Sequence, residues 1–586
     1  MKKLTAVIIG VGLTLGLMTA CTSQKGIVRT EEGTVPTTEM SNSDVDAENP
    51  EDIAVNAGNW GAYDVLIAGI REEKNAAKRE ALLHEAEDML METGAVLPLF
   101  YEKDTYMQKK ELTGVYANAY GMKYFMFAEI PDKTLTVHLG GEPYSLDPAL
   151  ADSGTEADIS VNIFSGLTAF DANGEIQPEL ASHYEVSGDG RTYTFYLQPD
   201  LKWSDGEVLT AEDFVYAWNR AGNGTTDSVN DMLFAVIAEN PDGTLKVMAE
   251  EEGAVLTVTL KTPCSYFPEL CALPAYYPVK RSEAEADGAQ GNRTDAWSRE
   301  AGFVTNGAYT VEEWKHGQSI TLQKNPYYHR ADEVSESTVK IMLSTDAEAV
   351  LTAYNDGDVH FMDEIPVSGL RNLAESPEFH AGDSFGTYYL SLNVTSELFA
   401  GKTPAQANAM RRAFALLTDR DYICDYIVRA GQQPANSLIP ADMKDGQDGV
   451  FRKNDSAYTY ADVGTAGYFN PFWSEENIAE AISLLTFAGY RFEEGMLSEE
   501  TPLVFTYLID GEGNSSAIAE ALQQDFAAVG IEMQIKTLEG NAFSNAKKYG
   551  RYDAVTGENR ALYNNPLSLL EQWSSESERN ECFLGK

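Results

Sequence analysis

Seven histidines, five cysteines and 91 carboxylates are the side chains from which this 586-residue chain could build chemistry. The histidines, at 84, 138, 183, 316, 329, 360 and 380, are scattered and lack the close spacing that ligands of one metal ion show. There is no G-x-S-x-G elbow, no H-E-x-x-H, no phosphate-cradling G-x-x-x-x-G-K-[ST] and no G-x-G-x-x-G. Carboxylates are so abundant that two of them meeting in a cleft would be poor evidence for a glycosidase. Cys264 and Cys271 stand seven apart, and two helical turns would hold them ~10 Å from each other, too far to bridge. Cys424 and Cys582 are distant in sequence and could meet only through the fold, so buried free thiols are the expectation for all four. The chain therefore reads as no enzyme, with no metal and no cofactor.

The elements that would position a binding site are plain in places. The chain is too long for one core, so several domains are expected. A formal net charge of -48 sets it against a phosphate backbone and excludes nucleic acid as a partner. Lys2 and Lys3 precede an apolar run from Leu4 to Ala20 that ends in Leu17-Met-Thr-Ala-Cys21, the layout of an export signal; it looks like a bacterial lipoprotein signal with Cys21 as the lipidated first residue, the alternative being an ordinary secretory signal with an incidental cysteine. Residues 22–58, rich in Thr, Glu, Ser, Asn and Asp, read as a flexible acidic tether. Beyond it Tyr63–Ile67 is strand-like, Ala76–Thr93 is an amphipathic helix with Leu82, Leu83, Ala86, Met89 and Leu90 on one face, and Ala95–Tyr101 is a buried strand. The densest stretch runs from Pro178 to Arg220. Gly188-Asp-Gly190 is a turn, Tyr193–Leu197 a strand, Lys202–Gly206 a loop, and Thr210 with Asp213 a helix start near Ala211.

The order of parts in that stretch, DG-x-TYTF-x-L and then KWSDGE-x-LTAEDF-x-YAW, resembles the solute-binding proteins of bacterial peptide ABC importers. From Lys133 onward the resemblance continues through EPYSLDPAL, Asn162–Leu167 (NIFSGL), Pro263–Val279, Asn306-Gly-Ala-Tyr309 with Trp314, and Lys324-Asn-Pro-Tyr-Tyr328. Ala308 stands where the family usually has proline. Gly386–Asn393 is similar to the family's hinge strand, and Met410 to Asp421 to the helix after it. The segment from Asn59 to Ala128 resembles the family's C-terminal end, yet precedes its N-terminal half here. A circular permutation accounts for this; the alternative is a partial duplication or a misassembled gene, against which neither half is repeated.

The resemblance implies a large two-lobed α/β periplasmic-binding fold of type II, the peptide-binding kind, in three domains. It divides the chain into a signal (1–21), the tether (22–58), a permuted end of domain III (59–95), domain I (96–175 and 291–385), domain II (176–290) and domain III (386–586). It implies a monomer, lipid-anchored outside the cell, that captures a peptide between its lobes and passes it to a permease and, through that, to ATPase subunits. The alternative is an orphan peptide-sensing receptor without its own transporter. By the same resemblance Tyr144, Asn162, Tyr388, Tyr389 and the segment Asn559 to Asn564 line the cleft, including Arg560, Leu562 and Tyr563. The family's W-x-x-D-Y-x-x-P motif, whose acid holds the peptide's α-amino group, corresponds to Asn559-Arg-Ala-Leu-Tyr-Asn-Asn-Pro566. Here the tryptophan is Asn559 and the acid is Leu562, which cannot neutralise a buried ammonium. Arg560, if it faces the cleft, would favour a carboxylate instead.

Overall fold

Tyr63, Ile67 and Ile70 recur at helical spacing and are all buried, while Val65 between them is 73% exposed. In the computed structural model, which describes residues 60–131, 134–151, 154–222, 229–285, 295–446 and 449–586, that period wins over the β-branched look of the segment. The strand expected at Tyr63–Ile67 is instead helix α1 (Gly61–Glu72), followed by α2 (Ala76–Glu92). Asn75 caps α2 by accepting from the Lys78 amide at 3.0 Å. The apolar run after it becomes the long strand β1 (Val96–Gln108). Then come β2 (Leu135–His138) and α3 (Gly154–Ile163).

The Pro178–Arg220 stretch folds locally as its composition suggests. Strand β3 (Ala181–Val186) turns through Gly190, at φ +69°, into β4 (Thr192–Leu197). Helix α4 (Ala211–Gly222) starts where the Asp213 carboxylate accepts the Thr210 amide at 2.8 Å. Strands β5 (Val247–Glu250) and β6 (Val255–Thr259) complete a small antiparallel sheet in the order β3-β4-β6-β5. The chain then supplies β7 (Tyr309–Lys315), β8 (Ser319–Lys324), β9 (Thr338–Met342), β10 (Phe361–Met362) and β11 (Phe379–Leu392). Helix α5 (Pro404–Leu416) opens on a full Thr403/Gln406 capping box. Last come β12 (Val504–Ile509), α6 (Ser515–Ala527), β13 (Glu532–Thr537) and β14 (Ala554–Arg560).

One large mixed sheet has the order β7-β8-β9-β2-β10-β1-β11-β14-β12-β13, with Gln433–Pro434 pairing on β1. The two largest apolar clusters among the described residues sit on it. One cluster joins the β2, β7, β8 and β9 side chains to the small sheet through Trp203, Phe214, Trp218 and Tyr276. The other lobe packs β1, β11, β12 and β13 against α5 and α6 through Leu99, Leu390, Phe414, Phe505 and Phe526. Antiparallel β1 and β11 pass between the lobes, and their register shifts between Tyr101 and Lys103. The apolar part of β1, residues 96–101, pairs with β11 and with Gln433–Pro434, while β10 separates β1 from β2.

The segment from Trp60 to Ile130 has no core of its own. Trp60 donates its indole N–H to the Trp573 carbonyl at 2.8 Å, and the Tyr63 hydroxyl donates to Leu570 at 2.8 Å. Both rings share a cluster with Leu83, Leu90, Leu570 and Leu584. Cys264, Cys271, Cys424 and Cys582 are free and buried, as expected. Cys21 and the tether lie outside the described residues.

His84 of α2 is held between the rings of Phe451 (4.0 Å) and Tyr458 (3.8 Å). Burial lowers its pKa to about 3, whereas in the unfolded chain it titrates near 6.5. Between those values only the unfolded state takes up the proton, so the stability is complete above pH 6.5 and is lost as pH falls. At pH 5 the loss comes to about 2 kcal/mol. His84→Phe should flatten the decline in urea-unfolding stability between pH 7.5 and 5 by about that amount. An unchanged decline would assign it to other groups.

Candidate functional site

In an open α/β sheet the carboxyl ends of parallel strands face the ligand crevice, because the chain turns away there and leaves backbone and short side chains exposed. Here β9 and β10 run parallel to β2 in one lobe, and β13 and β14 run parallel to β12 in the other. Both sets of ends point at the same place, the crossing of β1 and β11 around residues 102–106 and 379–386. Met362 ends β10 opposite Met107, and Arg560 ends β14 opposite Gly386.

The period of two along β14 and β11 sorts the candidate residues by face. Tyr388 pairs with Glu558 and Gly386 with Arg560, while Thr387 pairs with Asn559 and Tyr389 with Gly557. Tyr388 is half-buried and packed on the apolar cluster of the second lobe, stacked on Phe100 at 4.9 Å with its hydroxyl 2.6 Å from Thr556 Oγ1. Tyr389 and Asn559 are on the other face and buried, Tyr389 with its ring edge against Trp573 and Asn559 donating to the Leu569 carbonyl at 3.4 Å. They pack the lobe and do not reach the crevice.

Arg560 does not await an anion. Its Nε lies 2.7 Å from Glu102 and 2.9 Å from Glu558, so two carboxylates already hold the guanidinium. Gly386 makes room for this pair, since a Cβ there would stand 2.7 Å from Glu102 Oε2 and 3.1 Å from Arg560 Cγ. Burial and the Glu558 charge push the Glu102 carboxyl up, against the pull of Arg560.

Asn162 is buried with its amide fully engaged. It accepts from the Phe125 amide at 2.8 Å and donates to the carbonyls of Lys123 at 2.8 Å and Asp158 at 2.7 Å. One turn earlier on α3, Asp158 accepts from the Lys123 amide at 2.7 Å, so the two side chains brace the 123–125 backbone. That bracing places Lys123, whose Nζ reaches Asp104 at 2.8 Å, Asp363 at 2.9 Å and the Gly121 carbonyl at 2.5 Å. Tyr144, beside the start of α3, is 63% exposed with the Arg299 guanidinium 4.0 Å above its ring.

Leu562 and Tyr563 occupy the seam between the lobes. Leu562 packs on the apolar cluster of the first lobe and gives its amide to Ser568 at 2.7 Å. Tyr563 stacks on Tyr266 at 4.3 Å, the Asn564 amide donates to Glu269 at 3.3 Å, and Arg79 of α2 donates to the Pro263 carbonyl at 2.8 Å. An apolar residue at 562 thus serves lobe contact.

Sequence reasoning missed Glu102, Asp104, Lys123, Asp158 and Asp363. One signal was available: Glu102 and Asp104 alternate directly after the apolar run of β1, where a strand leaves its core. Among the described residues no group of His, Cys, Asp or Glu is arranged to hold a metal ion, and no helix is long and apolar enough to cross a membrane.

Residues 175–581 match the model of the middle region of bacterial extracellular solute-binding proteins, family 5. The oligopeptide-binding protein OppA of Bacillus subtilis is 30% identical over 349 residues, which are 56% of this chain and 62% of that protein. The probable deoxycholate-binding periplasmic protein YgiS of Escherichia coli is 27% identical over 463 residues, covering 77% of this chain and 79% of that one. The structure of OppA from Burkholderia pseudomallei superposes with a TM-score of 0.61 at 25% identity, over 78% of this chain and 85% of its own.

Proposed function

Since this chain belongs to the bacterial extracellular solute-binding proteins of family 5, we propose that it captures a peptide between its two lobes and hands it to the permease of an ABC importer. The observation that carries this reading is the crevice itself. The parallel-strand ends of both lobes converge on a two-strand crossing, so a ligand lying there touches both lobes and closing them encloses it. An extended peptide suits such a crevice because its backbone can bond to strand ends while side chains vary. Titration calorimetry with tri- to pentapeptides, together with mass spectrometry of what co-purifies, tests it; a bound steroid or sugar and no heat with any peptide would refute it. The relatives' ligands differ, and the peptide is our choice among them because the dipeptide- and oligopeptide-binding proteins recur among the matches.

We read the chain as a lipoprotein anchored through Cys21, with residues 22–58 as its tether. Two acyl chains on one lipidated cysteine give stable anchoring where one would be marginal. Cys21→Ser should move the protein from the membrane fraction to the medium or leave it unprocessed, and a processed, membrane-retained variant would count against the anchor. An orphan sensing receptor is distinguished by its genes: neighbouring permease and ATPase genes favour import.

The order of segments we read as a circular permutation, with 59–95 completing the third domain. Its support is the shared core of Trp60, Tyr63, Leu83 and Leu90 with Leu570 and Leu584, the closeness of Trp60 to Gly585, and alignments to relatives that stop short on both chains.

A further inference from the structure

Between the lobes, carboxylates outnumber cations. Among the described residues, Asp104 of β1 and Asp363 after β10 pair with Lys123, Glu102 of β1 and Glu558 of β14 pair with Arg560, and Asp158 of α3 accepts the Lys123 amide. Asp158 is 1% exposed, and its Oδ2 receives no hydrogen bond although Oδ1 does. Asp104, its side chain 10% exposed, likewise uses Oδ1 on Lys123 and leaves Oδ2 buried without a donor. The Asp363 side chain, 19% exposed, gives the group an edge on the crevice. Two buried carboxylate oxygens thus lack donors in a neighbourhood with more carboxylates than cations. At the seam, where the family's acid would stand, Leu562 is packed into apolar contact.

We propose that the ligand's positive charge, an ammonium or a guanidinium, is held at the hinge by Asp104 and Asp158 beside Lys123, with Asp363 at the entrance, and not at position 562. This rests on the peptide reading of the same crevice. The cluster selects a cationic ligand because a neutral one leaves both oxygens desolvated without a donor. Burial, opposed by the Lys123 charge, raises the pKa of Asp158 and Asp363, as expected of carboxylates that lack a full set of partners.

Three probes separate the possibilities by calorimetry at pH 7.5: tetra-alanine amide with a free amine, its N-acetyl form, and N-acetyl-Ala-Lys-Ala-Ala amide. At least one of the two cationic peptides should bind about tenfold or more tighter than the neutral one. Whichever gains tells whether the terminus or a side chain supplies the charge. Asp104→Asn should bring that ratio to within about threefold of unity, and Asp104→Glu should keep most of it. The wild-type ratio needs no variant, so a misfolded substitution leaves the test intact. Equal affinities for all three peptides would overturn the cation site and leave peptide capture standing, because protons on the buried carboxyls would then satisfy the cluster. No binding of any peptide would overturn both.

Discussion

A chain that begins at Thr134 should fail to fold, while the same residues with 60–131 joined behind Lys586 should fold and bind ligand as the parent does. The first half follows from where β1 lies. It pairs with β10 on one side and β11 on the other, with Gln433–Pro434 added, and is the strand through which the lobes share one sheet. Without it the 14 residues of β11 become an open edge. The same deletion removes Trp60, Tyr63, Leu83, Leu90, Leu97, Leu99 and Phe100, all buried. At about 1.5–3 kcal/mol for each large apolar side chain, these seven amount to about 10–20 kcal/mol, as much as the roughly 5–15 kcal/mol by which a native domain is stable. The second half follows from proximity: a Cβ on Gly585 would stand 2.7 Å from Trp60 Cβ, so a linker of a few residues spans the join. Circular dichroism melts and peptide titration of the two chains decide it. Cooperative unfolding of the truncated chain, or aggregation of the rejoined one, would sink the permutation.

Tyr563→Ala should weaken ligand binding by about 30-fold or more, although the side chain lies at the seam and not at the hinge cluster. Tyr563 follows β14 of one lobe, yet its ring belongs to the apolar cluster of the other, 6% exposed and stacked on Tyr266 within 6° of parallel. Closing the lobes therefore buries this ring, and a buried aromatic anchor at an interface typically carries about 2 kcal/mol or more when truncated. A ligand that requires the closed form shares that loss, since its apparent affinity scales with the closed fraction. Small-angle scattering should show the variant larger than wild type at the same ligand concentration. Wild-type affinity in a variant that stays open would show that closure contributes nothing to binding.

How much was legible beforehand follows from the range of the interactions. The turn at Gly190, the strand at Thr192–Leu197 and the start of α4 depend on neighbours within a few positions, and all three appear as read. The motifs from Pro178 onward placed the chain in a two-lobed solute-binding family, and the match over 175–581 and the superposition agree. Tyr63–Ile67 was misread because a strand and one face of a helix both present apolar residues, and only burial of Tyr63, Ile67 and Ile70 together separates them.

The sequence alone determined the turn at Gly190 with the elements beside it, the family and the absence of the usual acid at Leu562, because each of these is written in adjacent residues. Only the tertiary structure decided what Arg560 does. Its partner Glu102 lies 458 positions away, and they meet because β1 and β14 flank β11 with Gly386 between. The same holds for the unpaired oxygens of Asp104 and Asp158. Among 91 acids nothing in the order of residues marks these two; what marks them is burial without a hydrogen-bond donor, a property that exists only once distant strands have closed water out.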